Sequence, residues 1–195
     1  MKQRPKNQAE LIELISRTLE KKGLEADLNF IDVSGIRDMV GLFQRLVLRD
    51  FNGDISGWDV SGVRDMDFMF SGSCFNGDLS RWHVSRVRNM LGMFMDSKFN
   101  QDISKWNMVN VRCMSGMFSE SIFKQSLLNW KISEDTSRNG VFTGSALAQE
   151  MGVEDPSWET VLAFQRSQQY RAHLEACLEK NHEHEEPFQK FKPRL

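Results

Sequence analysis

Cysteine, proline and tyrosine are scarce in this chain of 195 residues, which contains three cysteines, four prolines and one tyrosine. The cysteines, Cys74, Cys113 and Cys177, are odd in number and unrelated in spacing, so they indicate neither a disulfide framework nor a zinc site. The chain also lacks an excess of one charge, since 25 Lys and Arg stand against 27 Asp and Glu. This composition is that of an ordinary globular protein, and it argues against nucleic-acid binding.

Long apolar runs are missing as well, so no segment predicts a membrane-spanning helix. Glu10 and Glu13 interrupt the first apolar stretch before it can form the hydrophobic region of a secretory signal. No lipoprotein cysteine lies near the start, because Cys74 is the first cysteine. We therefore expect a cytoplasmic protein, with non-classical export left open.

A repeat of 24 residues dominates the sequence. The frame that begins at Phe51 with Phe-Asn-Gly-Asp-Ile-Ser returns, with substitutions, at Phe75, Phe99 and Phe123, and a diverged first copy begins at Leu24. The recurring apolar columns are Phe51/Phe75/Phe99/Phe123, Trp58/Trp82/Trp106/Trp130, Val60/Val84/Met108/Ile132, Val63/Val87/Val111, Met66/Met90/Met114, Met69/Met93/Met117 and Phe70/Phe94/Phe118/Phe142. A unit of this length cannot bury its own apolar face, so the period predicts a solenoid of five stacked copies.

The apolar spacing within one copy predicts a strand followed by a helical turn. The alternation predicts a short strand on which Trp58 and Val60 point inward while Gly57 and Asp59 point outward. Ser61 is then a suitable N-cap for a short helix, whose inner face would carry Val63, Met66, Met69 and Phe70. Stacked copies would form a parallel sheet on one side and a layer of short helices on the other.

The repeated residues Phe-Asn-Gly-Asp-Ile-Ser-x-Trp-x-Val-Ser-x-Val-x-x-Met-x-x-Met-Phe resemble the BspA-type leucine-rich repeat family, whose repeat also occurs in mycoplasma surface lipoproteins. The resemblance covers about residues 24–146. It implies a bacterial protein that serves as an adhesion and protein-binding scaffold. The family's motif contains no catalytic residue.

Helices are predicted at both ends of the array. Residues 8–22 have a periodic apolar face and are followed by Gly23, which predicts a helix that covers the first copy. The stretch from Trp158 to about Lys180 contains no Gly or Pro and predicts a long helix. We expect this helix to cover the last copy, with a partner-binding or self-associating helix as the alternative.

The predicted fold class is therefore an α/β repeat solenoid. It is a short leucine-rich-repeat-like array with parallel strands on one face, short helices on the other and helical caps at both ends. The predicted parts are an N-terminal helical cap over 1–23, five repeat units over 24–146 that start at 24, 51, 75, 99 and 123, a C-terminal helical cap over 147–181, and a charged flexible tail over 182–195.

Residues that could carry chemistry are few. His182 and His184 have no cysteine nearby, no Asp-His-Ser frame surrounds His83, and the sequence has no phosphate-binding loop and no His-Glu-x-x-His motif. An acidic column comprises Asp54, Asp78 and Asp102. A calcium ladder is conceivable there, but such side chains more often bond the backbone of sharp turns. The sequence thus predicts no enzyme, no cofactor and no metal.

Two exposed columns are candidate binding surfaces. The first, the arginine column, follows the apolar residue at the start of each predicted helix and comprises Arg37, Arg64, Arg88 and Arg112. These arginines either pair with the adjacent Asp38 and Asp65 or form a stripe for phosphates or an acidic protein.

The second surface is the outer face of the predicted strands, where side chains carry no packing role. Its members are Phe30, Asp32, Asp59, Arg81, His83, Lys105, Asn107, Asn129 and Lys131. The face is acidic at its first end and basic further along, which would orient a partner of opposite polarity.

We expect a non-catalytic protein-binding repeat scaffold that acts through this strand face. One alternative is a small inhibitor or effector, such as one encoded by a mobile element, that blocks a target enzyme or complex. A second, less favoured, is a nucleic-acid binder that uses the arginine column. The expected partner is another protein of unknown identity, with no membrane contact and with self-association through the C-terminal helix left open.

Overall fold

The computed structural model describes residues 2–45 and 47–183. Three helices lie in this part of the chain, α1 (Gln8–Lys22), α2 (Ala146–Met151) and α3 (Trp158–Glu183). Between α1 and α2 the copies form a stack of turns, and their inner side chains make one hydrophobic core. Most of the predicted flexible tail, residues 184–195, lies outside the described residues.

The prediction of parallel strands is wrong. Within the described residues the copies contain no strand or sheet, and consecutive copies are joined by isolated parallel bridges such as that between Asp65 and Asn89. Two turns in each copy leave too little extended chain for a strand. In the second copy these turns span 55–58 and 60–63, where the backbone N–H donates to the carbonyl oxygen three residues back at 3.1 and 2.9 Å.

The prediction of a short helix capped by Ser61 is also wrong. The backbone N–H of Met69 donates to the carbonyl of Met66, three residues back, which makes a turn. The N–H groups of Phe68 and Phe70 donate to carbonyl oxygens of the next copy, at 2.8 and 2.9 Å. An α-helix requires these donors four residues back along its own chain. The molecule is therefore neither an α/β solenoid nor a leucine-rich-repeat fold, because turns replace both of its expected layers.

The burial pattern predicted from the repeat is nevertheless confirmed. Trp58 and Val60 are buried, whereas Asp59 between them is exposed. The rings of neighbouring copies stack, as Phe70 does on Phe94 with centroids 5.5 Å apart and planes 6° from parallel. Burying continuous ladders of large rings supplies the main stabilising free energy of a stack whose copies lack sheets and helices.

The predicted N-terminal helix is confirmed with its predicted bounds. Asn7 caps α1 by accepting a hydrogen bond from a first-turn N–H, and Gly23, at φ 83°, follows the last turn. Leu11 and Ile15 are fully buried and belong to the same core as the first copy.

The predicted C-terminal helix is also present and ends slightly later than predicted. Ser157 lies just before α3, and its Oγ accepts from the N–H of Thr160 at 3.2 Å. The ring of Trp158 then stacks on Trp130 and Phe142, with centroids 6.1 and 5.8 Å apart. The first turns of α3 thus extend the aromatic ladders beyond the last copy.

Candidate protein-binding site

The residues predicted to face outward beside the tryptophans form one surface, which we call the tryptophan edge. It comprises Phe30, Asp32, Asp59, Arg81, His83, Lys105, Asn107, Asn129 and Lys131. All of these side chains are exposed except Phe30 and Asp32, which are half-buried. Because the described copies contain no strand, each member of the edge lies either in the turn that precedes a tryptophan, as Arg81 and Lys105 do, or between the two turns of a copy, as Asp59 and His83 do.

Each buried tryptophan fixes the edge through its indole nitrogen. Trp106 Nε1 donates to the carbonyl of Leu79 in the preceding copy at 3.0 Å, and Trp82 Nε1 donates to that of Ile55 at 3.2 Å. The indole therefore joins two copies as well as filling the core. These bonds were missed by the sequence reasoning, which treated the tryptophans as apolar.

The aspartates of the acidic column hold the turns that precede the tryptophans. Asp54, Asp78 and Asp102 each accept a hydrogen bond from the backbone N–H two residues on, at 2.8 Å. These bonds lower the pKa of each of the three carboxyls, because they stabilise the charged form. The turn role expected for this column is thus what the structure shows. The Asp-x-Ser spacing that recurs in every such turn is the signal that predicts it.

The first end of the tryptophan edge is occupied by the N-terminal segment. Arg4 pairs with Asp32 at 2.9 Å, and bonds from Ser34 lower the pKa of the Asp32 carboxyl. The Nζ of Lys22 lies 5.3 Å from the centre of the Phe30 ring. These two edge residues therefore already have partners within the chain, and the accessible part of the edge begins at Asp59.

The remaining edge carries a charge gradient along one column. Bonds from Ser61 lower the pKa of the Asp59 carboxyl, which lies near both Asp32 and His83. Further along, Lys131 is exposed at the corresponding position of the last copy. The predicted change from acidic to basic character is therefore present along the surface.

The beginning of the basic end lies beside aspartates of the turns. Arg81 lies near Asp78, and Lys105 lies near Asp102, close enough that each cation helps to lower the pKa of its neighbouring carboxyl. Among the described residues neither cation forms an ion pair within 4 Å. Their charged ends therefore remain available to another molecule.

The arginine column is exposed and in register. The backbone N–H of Arg88 donates to the carbonyl of Arg64 at 2.9 Å, and that of Arg112 donates to the carbonyl of Arg88 at 2.8 Å. Within the described part of the chain, no carboxylate lies within 4 Å of these guanidinium groups. The expected pairing with aspartates is therefore not made.

The aspartates beside the arginine column bond elsewhere. Asp38 accepts from the N–H of Val40 at 2.9 Å. Asp65 accepts from the N–H of Asp67 at 3.0 Å and from the amide of Asn89 at 2.8 Å. Backbone turns and the stacking of copies thus use the carboxylates that the arginines were expected to need.

A groove at the C-terminal end was not anticipated from the sequence. It has a volume of about 490 Å³ and lies between the last copy and α3, with Leu128, Leu147 and Phe164 in its wall. Gln165 closes one side of it, because its Oε1 accepts from the N–H of Leu127 at 3.0 Å and its Nε2 donates to a carbonyl of the same copy at 2.9 Å. A glutamine buried by a helix and bonded to a distant turn leaves no periodic signal in the sequence.

No group of three or more His, Cys, Asp or Glu side chains in residues 2–45 and 47–183 is arranged to hold a metal ion. Cys74 is exposed and Cys113 is half-buried, and both are free thiols. None of the described helices is long and apolar enough to cross a membrane.

The family of the chain follows from its repeats. A family model described as "Mycoplasma protein of unknown function, DUF285" matches residues 13–98 and again residues 49–158. The chain belongs to this family. The two DUF285 matches together include α1 from Glu13 onward, all five copies, α2 and the first residue of α3.

Neither the curated proteins nor the solved structures contain a significant match to this DUF285 chain.

Proposed function

We propose that this DUF285 chain is a non-catalytic scaffold that binds another protein through the accessible part of the tryptophan edge. The observation that supports the proposal is the contrast between the buried tryptophans and the exposed side chains beside them. The tryptophans are buried and bonded between copies, while Arg81, Lys105 and Lys131 are exposed and form no ion pair within the described residues. Side chains with this freedom on a rigid backbone suit specific recognition.

The charge of the edge favours a partner with an acidic surface. Its free end carries Arg81, Lys105 and Lys131, together with Asn107 and Asn129 as hydrogen-bonding groups. Complementary charge guides the encounter and fixes the orientation of a partner. The resemblance of the repeat to BspA-type sequences supports the same type of function, because that family is regarded as a protein-binding scaffold.

The test compares two sets of charge reversals. One variant carries Arg81→Glu, Lys105→Glu and Lys131→Glu, and the control carries Arg64→Glu, Arg88→Glu and Arg112→Glu. Since all six side chains are exposed, each substitution should change the free energy of unfolding by no more than about 0.5 kcal/mol. The three immobilised chains, wild type included, are exposed to lysate of the native cell, and captured proteins are quantified by mass spectrometry.

We expect one protein to be captured by wild type and by the control but lost by the edge variant, and calorimetry with that protein should reproduce the loss. Loss only with the control would assign binding to the arginine column. Nucleic acid retained by that column with a steep salt dependence would replace the proposal by nucleic-acid binding. If the captured protein is an enzyme and binding to the chain inhibits it, the chain is an inhibitor that uses the edge.

A further inference from the structure

The two parts of helix α3 differ in burial. Trp158, Val161 and Gln165 are buried against the last copy, at 6, 0 and 8 % exposure. Every side chain described after Gln165 is exposed. We call residues 166–183 the arm. At 1.5 Å per residue, its 18 residues extend for about 27 Å.

The arm carries apolar side chains that nothing in the described chain covers. Tyr170 and Leu174 are 64 and 43 % exposed, and they lie one turn apart on the same side of α3. A helix of this length is marginal in water by itself, because most helical stability in proteins comes from packing of an apolar face. The arm therefore presents a short apolar strip that a partner would stabilise.

Charges beside this strip select the partner. Arg171 lies next to Tyr170, and Glu175 lies next to Leu174, so one side of the strip has a basic half and an acidic half. Such a pattern is complementary to itself when the direction of the chain is reversed. In a parallel pair related by a two-fold axis along the helices, the charged sides of the two copies would instead lie on opposite flanks of the interface, where Arg171 could not reach Glu175 of the other copy.

We propose that the arm pairs antiparallel with the arm of a second copy of this chain, about a two-fold axis near residues 172 and 173. In this pair Tyr170 packs on Leu174 of the second copy, and Leu174 packs on Tyr170, as a two-fold interface requires. Arg171 of each copy lies beside Glu175 of the other. The strip is small compared with the area that stable dimers bury, so the association is reversible and depends on concentration.

The first test is the mass of the full chain by sedimentation equilibrium under reducing conditions, which prevent a disulfide through Cys177. We expect the mass to rise from 22.6 kDa toward twice that value as the concentration increases. The variant Tyr170→Glu with Leu174→Glu should remain a monomer with an unchanged melting temperature, because both side chains are exposed. The triple reversal of the tryptophan edge is the matched control, and it should dimerise like the wild type. A wild-type chain that remains a monomer, or a double variant that still dimerises, would overturn the proposal.

The second test concerns the direction of pairing. Arg171→Glu alone and Glu175→Arg alone should each weaken the dimer by about tenfold, since each places like charges opposite one another. The combined swap should restore it. A mixture of the two single variants should form a mixed dimer more strongly than either variant pairs with itself. A charge effect within a single helix would not produce this preference for the mixed dimer. Failure of the combined swap to restore pairing would exclude the antiparallel arrangement.

Discussion

A single tryptophan does two things in this stack. Trp106 is 3 % exposed, its ring stacks on that of Trp130 at 6.5 Å, and its nitrogen donates to the carbonyl of Leu79. Its ring also meets that of Phe94 in the preceding copy at 6.2 Å, so replacement by a smaller side chain removes ring contacts with both neighbouring copies and a hydrogen bond to one of them. The repeat of this arrangement from copy to copy explains why tryptophan and not phenylalanine occupies the column.

We expect Trp82→Ala and Trp106→Ala each to lower the free energy of unfolding by roughly 3–5 kcal/mol, as for other buried aromatic side chains. Trp106→Phe keeps an aromatic ring but removes the indole bond to the carbonyl of Leu79, which still accepts from the backbone N–H of Trp82, so the loss should be about 0.5–1.5 kcal/mol. Urea denaturation measures both effects. Unchanged midpoints for the two alanine variants would mean that the tryptophan rings do not hold the stack together.

At the scale of elements, turns take the place of both strands and helices. Asp54 closes the turn before Trp58, and the N–H groups of the following segment donate to the next copy. Phe68, at φ 55°, occupies a position where glycine, also left-handed, stands in other copies, for example Gly92 and Gly116. Neither a regular strand nor an α-helix accommodates this alternation of turns and bonds between copies.

Helix α3 gives a prediction that separates its two parts. A chain that ends after Gln165 should retain the melting temperature of the full chain, since every side chain described after Gln165 is exposed. A chain that ends after Ser157 should melt at a lower temperature or aggregate, because removal of Trp158, Val161 and Gln165 uncovers the last aromatic rings. Calorimetric scans of the two truncated chains make the comparison. Equal melting of both would show that α3 does not cover the stack.

At the scale of the whole molecule, stability depends on contacts between neighbouring copies. The same bonds recur along the stack, so their sum matters more than any one of them. The aspartate turns make part of this sum measurable. Their bonds lower the pKa of Asp54, Asp78 and Asp102 in the folded state, so the stability that they contribute depends on pH. Burial raises the pKa of Asp67, which acts in the opposite direction.

A carboxyl whose pKa is lowered by folding stabilises the protein above its unfolded pKa of about 3.9, and this contribution is lost as the pH falls through the folded pKa. We therefore expect the urea midpoint to be steady from about pH 7 to 5 and to fall below about pH 4. The variant with Asp54→Asn, Asp78→Asn and Asp102→Asn should lose less stability in acid. Asparagine keeps the acceptor but does not titrate, and Asn107 already accepts from the N–H of Val109 in such a turn at 3.2 Å. Identical acid sensitivity in both chains would assign the loss to other groups.

The order of residues along the chain was enough to predict which side chains are buried and where the terminal helices lie. The repeat period placed Trp58, Val60 and Phe70 in buried columns, and the capping residues placed α1 at Gln8–Lys22, because burial and helix ends depend on side-chain chemistry close in sequence. The course of the backbone between the buried residues was predicted wrongly. Apolar residues spaced by two, three or four positions show which side chains point inward. A series of turns can produce the same spacings as a strand or a helix.

The acceptors of the backbone N–H groups depend on how the copies stack. The N–H of Phe70 bonds to Met93, 23 residues further along the chain, and the indole of Trp82 bonds to Ile55, 27 residues back. The point at which burial of α3 ends is a tertiary result too, since the position of the last copy determines how many turns of the helix find a surface. Bonds between copies exist only once the copies have stacked, so no local pattern could reveal them.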